Sequence, residues 1–147
     1  MSGSPDPEIM DVTVLDTWAA LERDPSAHLI DVRTQAEWAY VGVPDLSRLN
    51  KQTVLAEWQS FPSNAVDPAF AERLSRTIQS KGGNETSQLF FLCRSGVRSL
   101  AAARAMVAAG YQCCRNVAGG FEGGLNAERQ RGQVAGWKSA RLPWVQS

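Results

Sequence analysis

Leu89-Phe90-Phe91-Leu92 runs apolar without a break and stops at Cys93-Arg94-Ser95-Gly96. A strand with no polar alternation has no face to offer water, so it belongs inside a parallel sheet covered on both sides. The stretch that follows, Ser99 to Ala109, is almost all Ala, Leu, Met and Val, with Arg104 its one charge. That composition predicts a buried helix, and Gly110 is a natural stop for it. Strand, tight loop and buried helix together form half of a βαβ unit, which crosses over right-handedly to a parallel neighbour.

The rest of the chain fits the same alternation. His28-Leu29-Ile30-Asp31-Val32 is short, apolar and β-branched, as a buried strand should be. Thr53 to Ala56 and Cys113 to Val117 read as further strands. Thr13-x-x-Asp16 resembles a capping box, after which Leu15, Trp18 and Ala19 fall on one helical face. Thr34-x-x-Glu37 is a cleaner box, opening a short helix that Gly42 and Pro44 stop. Phe61 to Asp67 reads as a loop, and Phe70, Leu74 and Ile78 mark an amphipathic helix after Pro68. A last helix is expected near Phe121 or Asn126, and the tail through Trp137, Leu142 and Trp144 is expected to pack back on the core. Strands separated by helices give an α/β fold: a mainly parallel sheet with helices on both faces.

Composition closes off several classes. With 147 residues the chain can bury a core without staples. Lys+Arg and Asp+Glu are equal at 15 each, so nothing draws the protein generally to nucleic acid or to an anionic membrane. The odd set of Cys93, Cys113 and Cys114 argues against a disulfide framework. With His28 the one histidine and no CxxC pair, no metal site is expected. Residues 1–12, whose opening lacks a basic region followed by an apolar one, are expected to form a flexible leader before a single domain over 13–147. A cytoplasmic location follows as an expectation.

The chemistry concentrates in Cys93-Arg94-Ser95-Gly96-Val97-Arg98-Ser99. Ligands of open parallel sheets bind at the carboxyl ends of the strands, which is where this loop lies. Loop amides turned inward, the positive end of the following helix, and the charges of Arg94 and Arg98 would bind an anion and favour a thiolate at Cys93. Gly96 lets the loop turn, and Ser99 is expected to cap the helix. A cysteine ending an apolar strand is more often inert core. Two arginines within five residues of it are not, because arginines do not fill cores.

These residues resemble the rhodanese-like family. Leu29-Ile30-Asp31-Val32-Arg33-Thr34-x-x-Glu37-Trp38 is similar to the motif that opens such domains, and Cys93 to Ser99 resembles their active-site loop. Asn116-Val117-x-Gly119-Gly120-Phe121 resembles their last strand and turn, and Gly136-Trp137-Lys138 with Leu142-Pro143-Trp144 resembles the tail of many single-domain members. The resemblance implies a three-layer fold around a five-stranded parallel sheet. It implies that Cys93 takes sulfane sulfur from a donor and passes it to a nucleophile, with no cofactor. Residues 94–98 would bind the substrate, supported by Ser99, Asp31 and Arg33. The segment Val41-Gly42-Val43-Pro44-Asp45 departs from the Gly-His-Ile-Pro-Gly-Ala of many relatives, so one wall of the pocket is expected to differ.

Related phosphatases carry five residues between Cys and Arg; here there are four between Cys93 and Arg98. The shorter loop fits a persulfide or a small sulfur oxyanion such as thiosulfate, with a thiol, protein or cyanide acceptor. A Cys-dependent phosphatase or arsenate reductase, and a non-catalytic interaction module, are the alternatives. Asp31 and Arg33 read first as an exposed ion pair tethering the loop. Cys113 and Cys114 read as strand packing rather than resolving thiols, and His28 as a packed or surface residue rather than a base.

Overall fold

The computed structural model describes residues 9–60, 63 and 65–146. Most of the leader expected at 1–12 lies outside the described residues, but Met10–Val12 forms a strand, β1, so the ordered fold starts before residue 13. The chain continues through α1 (Val14–Arg23), β2 (His28–Asp31), α2 (Gln35–Val41), β3 (Val43–Pro44), β4 (Val54–Leu55), α3 (Phe70–Ser80), β5 (Gln88–Leu92), α4 (Val97–Ala108), β6 (Cys113–Val117) and β7 (Trp144–Val145).

Five strands form one sheet in the order β1-β6-β5-β2-β4, every pair parallel. The apolar run of β5 lies at its centre. Side chains alternate across a strand, and β5 divides accordingly. Leu89, Phe91 and Cys93 pack with Phe70, Leu74 and Ile78 of α3 and Ala102, Ala103 and Met106 of α4. Phe90 and Leu92 face the other way, against Val14 and Leu21 of α1 and against Phe121, Trp137 and Leu142 of the tail. Those two apolar layers are the reason β5 has no polar position from Leu89 to Leu92. No helix of the described residues is long and apolar enough to cross a membrane.

Both expected caps form. The Thr13 hydroxyl accepts from the Asp16 amide at 3.0 Å, and Thr34 and Glu37 close a full capping box. The inward face of α1 differs from expectation: Val14, Thr17 and Leu21 are buried and Leu15 is 60% exposed. The helix begins at Val14, and spacing from there puts residues 14, 17, 18 and 21 together.

No helix forms near Phe121 or Asn126. Positive φ recurs at residues 123, 129, 132 and 136, which breaks any helical run, and the segment crosses the sheet edge as a series of turns. Trp137 at its end is fully buried. The tail then returns as β7, antiparallel to β3, in a second small sheet. Of the loop expected at 61–67, residues 61, 62 and 64 lie outside the described residues; Val66 within it forms an antiparallel bridge with Gln59.

Candidate active site

Because β2, β5 and β6 are parallel, the residues following each of them collect at one edge of the sheet. Cys93 comes directly after β5 and keeps its alternation, so its side chain turns toward α4 and is only 1% exposed. Its Sγ accepts from the Gly96 amide at 3.1 Å and lies 3.3 Å from Ser99 Oγ. The N-terminus of α4, with its partial positive charge, begins at the same turn.

Ser99 is not the cap expected of it. The N-cap position is Gly96, and Ser99 lies in the first turn of α4 with its hydroxyl aimed back into the protein. That hydroxyl donates to Asn116 Oδ1 at 2.6 Å. Asn116 Nδ2 in turn donates to Asp11 Oδ1 at 2.9 Å and to the Gly96 carbonyl at 3.2 Å. A polar chain, buried as far as Asn116, therefore runs from the sulfur to the exposed Asp11 of β1. Asn116 and Asp11 had no site role in the sequence reading; an Asn at a buried position of a short strand was the available signal.

The three arginines do different things. Arg94 is exposed at the mouth and joins none of the ion pairs among the described residues. Arg98, expected to reach into the cradle, is held by Glu37 of α2 through two bonds of 2.6 and 3.0 Å. Burial raises the Glu37 carboxyl, but the Arg98 hydrogen bonds and charge outweigh it and hold the group below the usual carboxylate range. Glu37 in return pushes Arg98 up. The sequence marked Glu37 as a capping residue; that it also anchors Arg98 depends on tertiary placement.

Asp31 and Arg33 form a pair, but a fully buried one rather than an exposed tether. Arg33 Nε and Nη2 donate to both Asp31 oxygens, and Nη2 also donates to the Gly42 carbonyl at 2.7 Å. The guanidinium stacks 4.2 Å from the Phe121 ring centroid. The pair is therefore a strut behind the site. Gly42 lies in the segment that departs from the family pattern, and just after it β3 pairs with β7.

In front of these residues is an open cleft of about 660 Å³, lined by Thr34, Glu37, Tyr40, Arg94, Arg98 and Arg131 among others. Ser95 is half-buried at its edge and Val97 is 78% exposed. The Cys93 loop rests on bare backbone from the turn after β6. Phe121 N–H donates to the Cys93 carbonyl at 2.8 Å, and the Glu122 and Gly123 amides donate to Arg94 O. A Cβ at Gly120 would come within 2.4 Å of the Cys93 carbonyl oxygen.

The other cysteines are elsewhere. Cys113 pairs with Gln88 at the start of β5, five residues before Cys93, which is about 16 Å along the strands. Cys114 is buried in the core, and burial pushes its thiol up to about 12. His28 lies at the same remote end. Among the described residues no group of three or more His, Cys, Asp or Glu could hold a metal ion.

Comparison with known proteins agrees with this architecture. The family described as STR4 middle domain matches residues 11–147. An uncharacterized protein of Rickettsia prowazekii is 39% identical over 119 residues, 81% of this chain and 83% of that protein. The crystal structure of Rv0390 from M. tuberculosis superposes with a TM-score of 0.83 at 39% identity, covering 96% of this chain and all of that one. A rhodanese-like domain-containing protein 4, chloroplastic, of Arabidopsis thaliana is 26% identical over 89% of this chain and 24% of its own. The fold is shared with a polysulfide-sulfur transferase of Wolinella succinogenes (17% identity over 95% of this chain and 80% of that one, TM-score 0.57) and with a possible tyrosine phosphatase of Rhodopseudomonas palustris (19% over 93% and 85%, TM-score 0.56). The chain belongs to the STR4 middle domain family and has the rhodanese-like fold.

Proposed function

We propose that the protein is a sulfurtransferase that carries sulfane sulfur as a persulfide on Cys93. The observation that supports this reading best is the seat of the sulfur. Cys93 Sγ lies under a loop with four residues between Cys93 and Arg98, next to a helix N-terminus, and already receives an amide hydrogen bond. A loop this short suits one added sulfur atom better than a tetrahedral phosphate.

In the first half-reaction the Cys93 thiolate attacks the outer sulfur of a donor such as thiosulfate. A new S–S bond forms, the old one breaks, and sulfite departs with the electron pair. In the second, an acceptor thiolate, on a small molecule or a protein, or cyanide attacks the outer sulfur, and Cys93 leaves as thiolate. Loop amides of residues 94–98 and the helix end balance the persulfide charge. Arg94 is the cation free to meet an anionic donor, while Arg98 with Glu37 forms a fixed wall. No organic cofactor, metal, nucleic acid or membrane enters the scheme, and it suits the reducing cytoplasm.

The test is intact mass after incubation with thiosulfate and desalting. One added sulfur, removed by cyanide and absent from Cys93→Ala, is the expected result. Absence of the adduct with any sulfane donor, together with Cys93-dependent hydrolysis of an aryl phosphate, overturns the proposal in favour of a phosphatase.

A further inference from the structure

A cavity of about 460 Å³ at the amino ends of the strands plays no part in the proposed chemistry, and its lining is one-sided in charge. Its apolar side is formed by the buried Ala27, Leu29 and Leu46, and its polar side by His28 at the start of β2, Lys51 and Lys81. No Asp or Glu is among the described residues that line it, although acidic and basic residues are equal in number along the chain. Asp24, the acid whose charge reaches His28, is committed elsewhere. Its carboxylate accepts from Gln88 Nε2 and from the Ser26 amide, each at 2.9 Å.

Lysines collect at helix C-termini, where carbonyls lack partners, and that accounts for part of the arrangement. Lys51 Nζ donates to the Asp24 and Ala27 carbonyls at 2.8 and 2.7 Å, just past α1, which fixes one ammonium and leaves it one proton. Lys81 occupies the cap position of α3, but its side chain is exposed and joins none of the ion pairs among the described residues. Capping does not account for His28. Burial, then the charges of Lys51 and Lys81, hold the imidazole toward its neutral form. Its Nε2 is buried without a partner beside Gly83, where a Cβ would lie 3.0 Å from it. That leaves Nδ1 as the ring nitrogen open to the cavity.

We propose that this cavity is a second binding site, for a small organic phosphate whose dianionic head meets Lys51, Lys81 and His28 while its carbon body lies against Ala27, Leu29 and Leu46. Two ammoniums match a dianion better than a single carboxylate charge, and lysine serves phosphate as a point charge. The cavity is far larger than a bare phosphate, and its buried apolar side gives a carbon body a surface that an inorganic ion cannot use. Binding also reverses the field at His28. The charges that reach the ring are Lys51 before β4, Lys81 at the end of α3 and Asp24 after α1. A dianion beside them favours the protonated imidazole. Binding therefore takes up a proton and tightens as pH falls through the His28 midpoint. The site lies at the opposite end of the sheet from Cys93 and does not depend on sulfur as the cargo there.

His28 is the one histidine of the chain, so its C2–H proton resonance is a single reporter of the site. The full chain is titrated at fixed ionic strength with phenylphosphonate, a dianion with an apolar body and no ester to hydrolyse. The expected result is a saturating shift of that resonance, half complete at roughly millimolar probe, and an imidazole midpoint about one unit higher at saturation. Lys81→Gln, at an exposed position that leaves the core in place, is expected to raise the half-saturating concentration roughly tenfold. Benzoate, with one charge, is expected to bind at least about tenfold more weakly than phenylphosphonate. Absence of a saturating shift, a shift indifferent to Lys81→Gln, or a midpoint that stays or falls overturns the proposal. Benzoate binding as tightly as phenylphosphonate overturns the assignment to a dianion. Sulfur loading does not enter the readout, so its failure would count against the proposed function alone.

Discussion

At the carboxyl ends of the strands Asp31, Arg33, Ser99 and Asn116 are buried and bonded to one another, to Asp11, or to backbone. At the amino ends, His28, Lys51 and Lys81 surround a cavity of about 460 Å³. Here the polar groups are loosely committed. Lys51 donates to the carbonyls of Asp24 and Ala27, and His28 Nε2 is buried without a partner. Burial, then the charges of Lys51 and Lys81, push the His28 imidazole down toward its neutral form. A cavity at each end does not make the two ends equal sites. Parallel strands bring loop amides and the N-terminus of α4 to one end only, and there a buried polar group gains a network that holds it in one geometry.

The largest expected effect tests that asymmetry directly. Cys93→Ala is expected to abolish sulfur loading and leave the far-UV circular dichroism spectrum unchanged; residual loading carried by Cys113 would erase the distinction between the ends. Next comes Arg33→Ala, which strands the Asp31 carboxylate in the core and is expected to cost about 3–5 kcal/mol in denaturant unfolding. A loss near zero would mean that the carboxyl-end network is not rigid.

Glu37→Gln is expected to cost about 1 kcal/mol at pH 7, because the pair with Arg98 is only partly shielded. Its sign with pH follows from the depressed carboxyl. The charged form stabilises the fold above the ordinary value of 4.5, and that contribution is lost as pH falls through the lower folded-state value. The gap between wild type and variant should therefore close in acid; a gap constant from pH 7 to about 3 contradicts the assignment.

Smallest are Cys113→Ser and Cys114→Ser, each expected to retain most sulfur transfer. The raised Cys114 thiol stabilises the fold fully below 9.0 and loses that contribution as pH climbs toward about 12. Native Cys114 should thus resist alkylation at pH 8, and ready labelling there would show that the core is open.

Local rules made much of this legible. The apolar run of β5, the Thr34–Glu37 box and the alanine-rich α4 were readable because each is encoded within a few residues. The candidate nucleophile was readable for the same reason: strand, cysteine, glycine turn and helix are contiguous. What escaped depends on distant partners. Met10–Val12 offers too few residues to show a period and is a strand because β6 pairs with it. Pro44 and Trp144 pair across a gap that no local pattern bridges. Arg98 read as a free cation because its partner Glu37 is 61 positions away, and Ser99 read as a cap because Asn116 was not yet beside it.

Gly120 and Gly136 have a consequence for how variation in this chain should be read. A Cβ at Gly120 would strike the Cys93 and Arg94 carbonyls, and one at Gly136 would strike the Gly120 carbonyl at 2.8 Å. The loop thus leans on one strip of naked backbone, which leans on another. In a saturation library both positions should tolerate almost nothing, while exposed Val97, inside the loop itself, should tolerate nearly everything. A ranking by intolerance alone would place two inert glycines beside Cys93, and a measurement of folded protein abundance, in which the glycine variants drop and Cys93→Ala does not, would separate the scaffold from the chemistry.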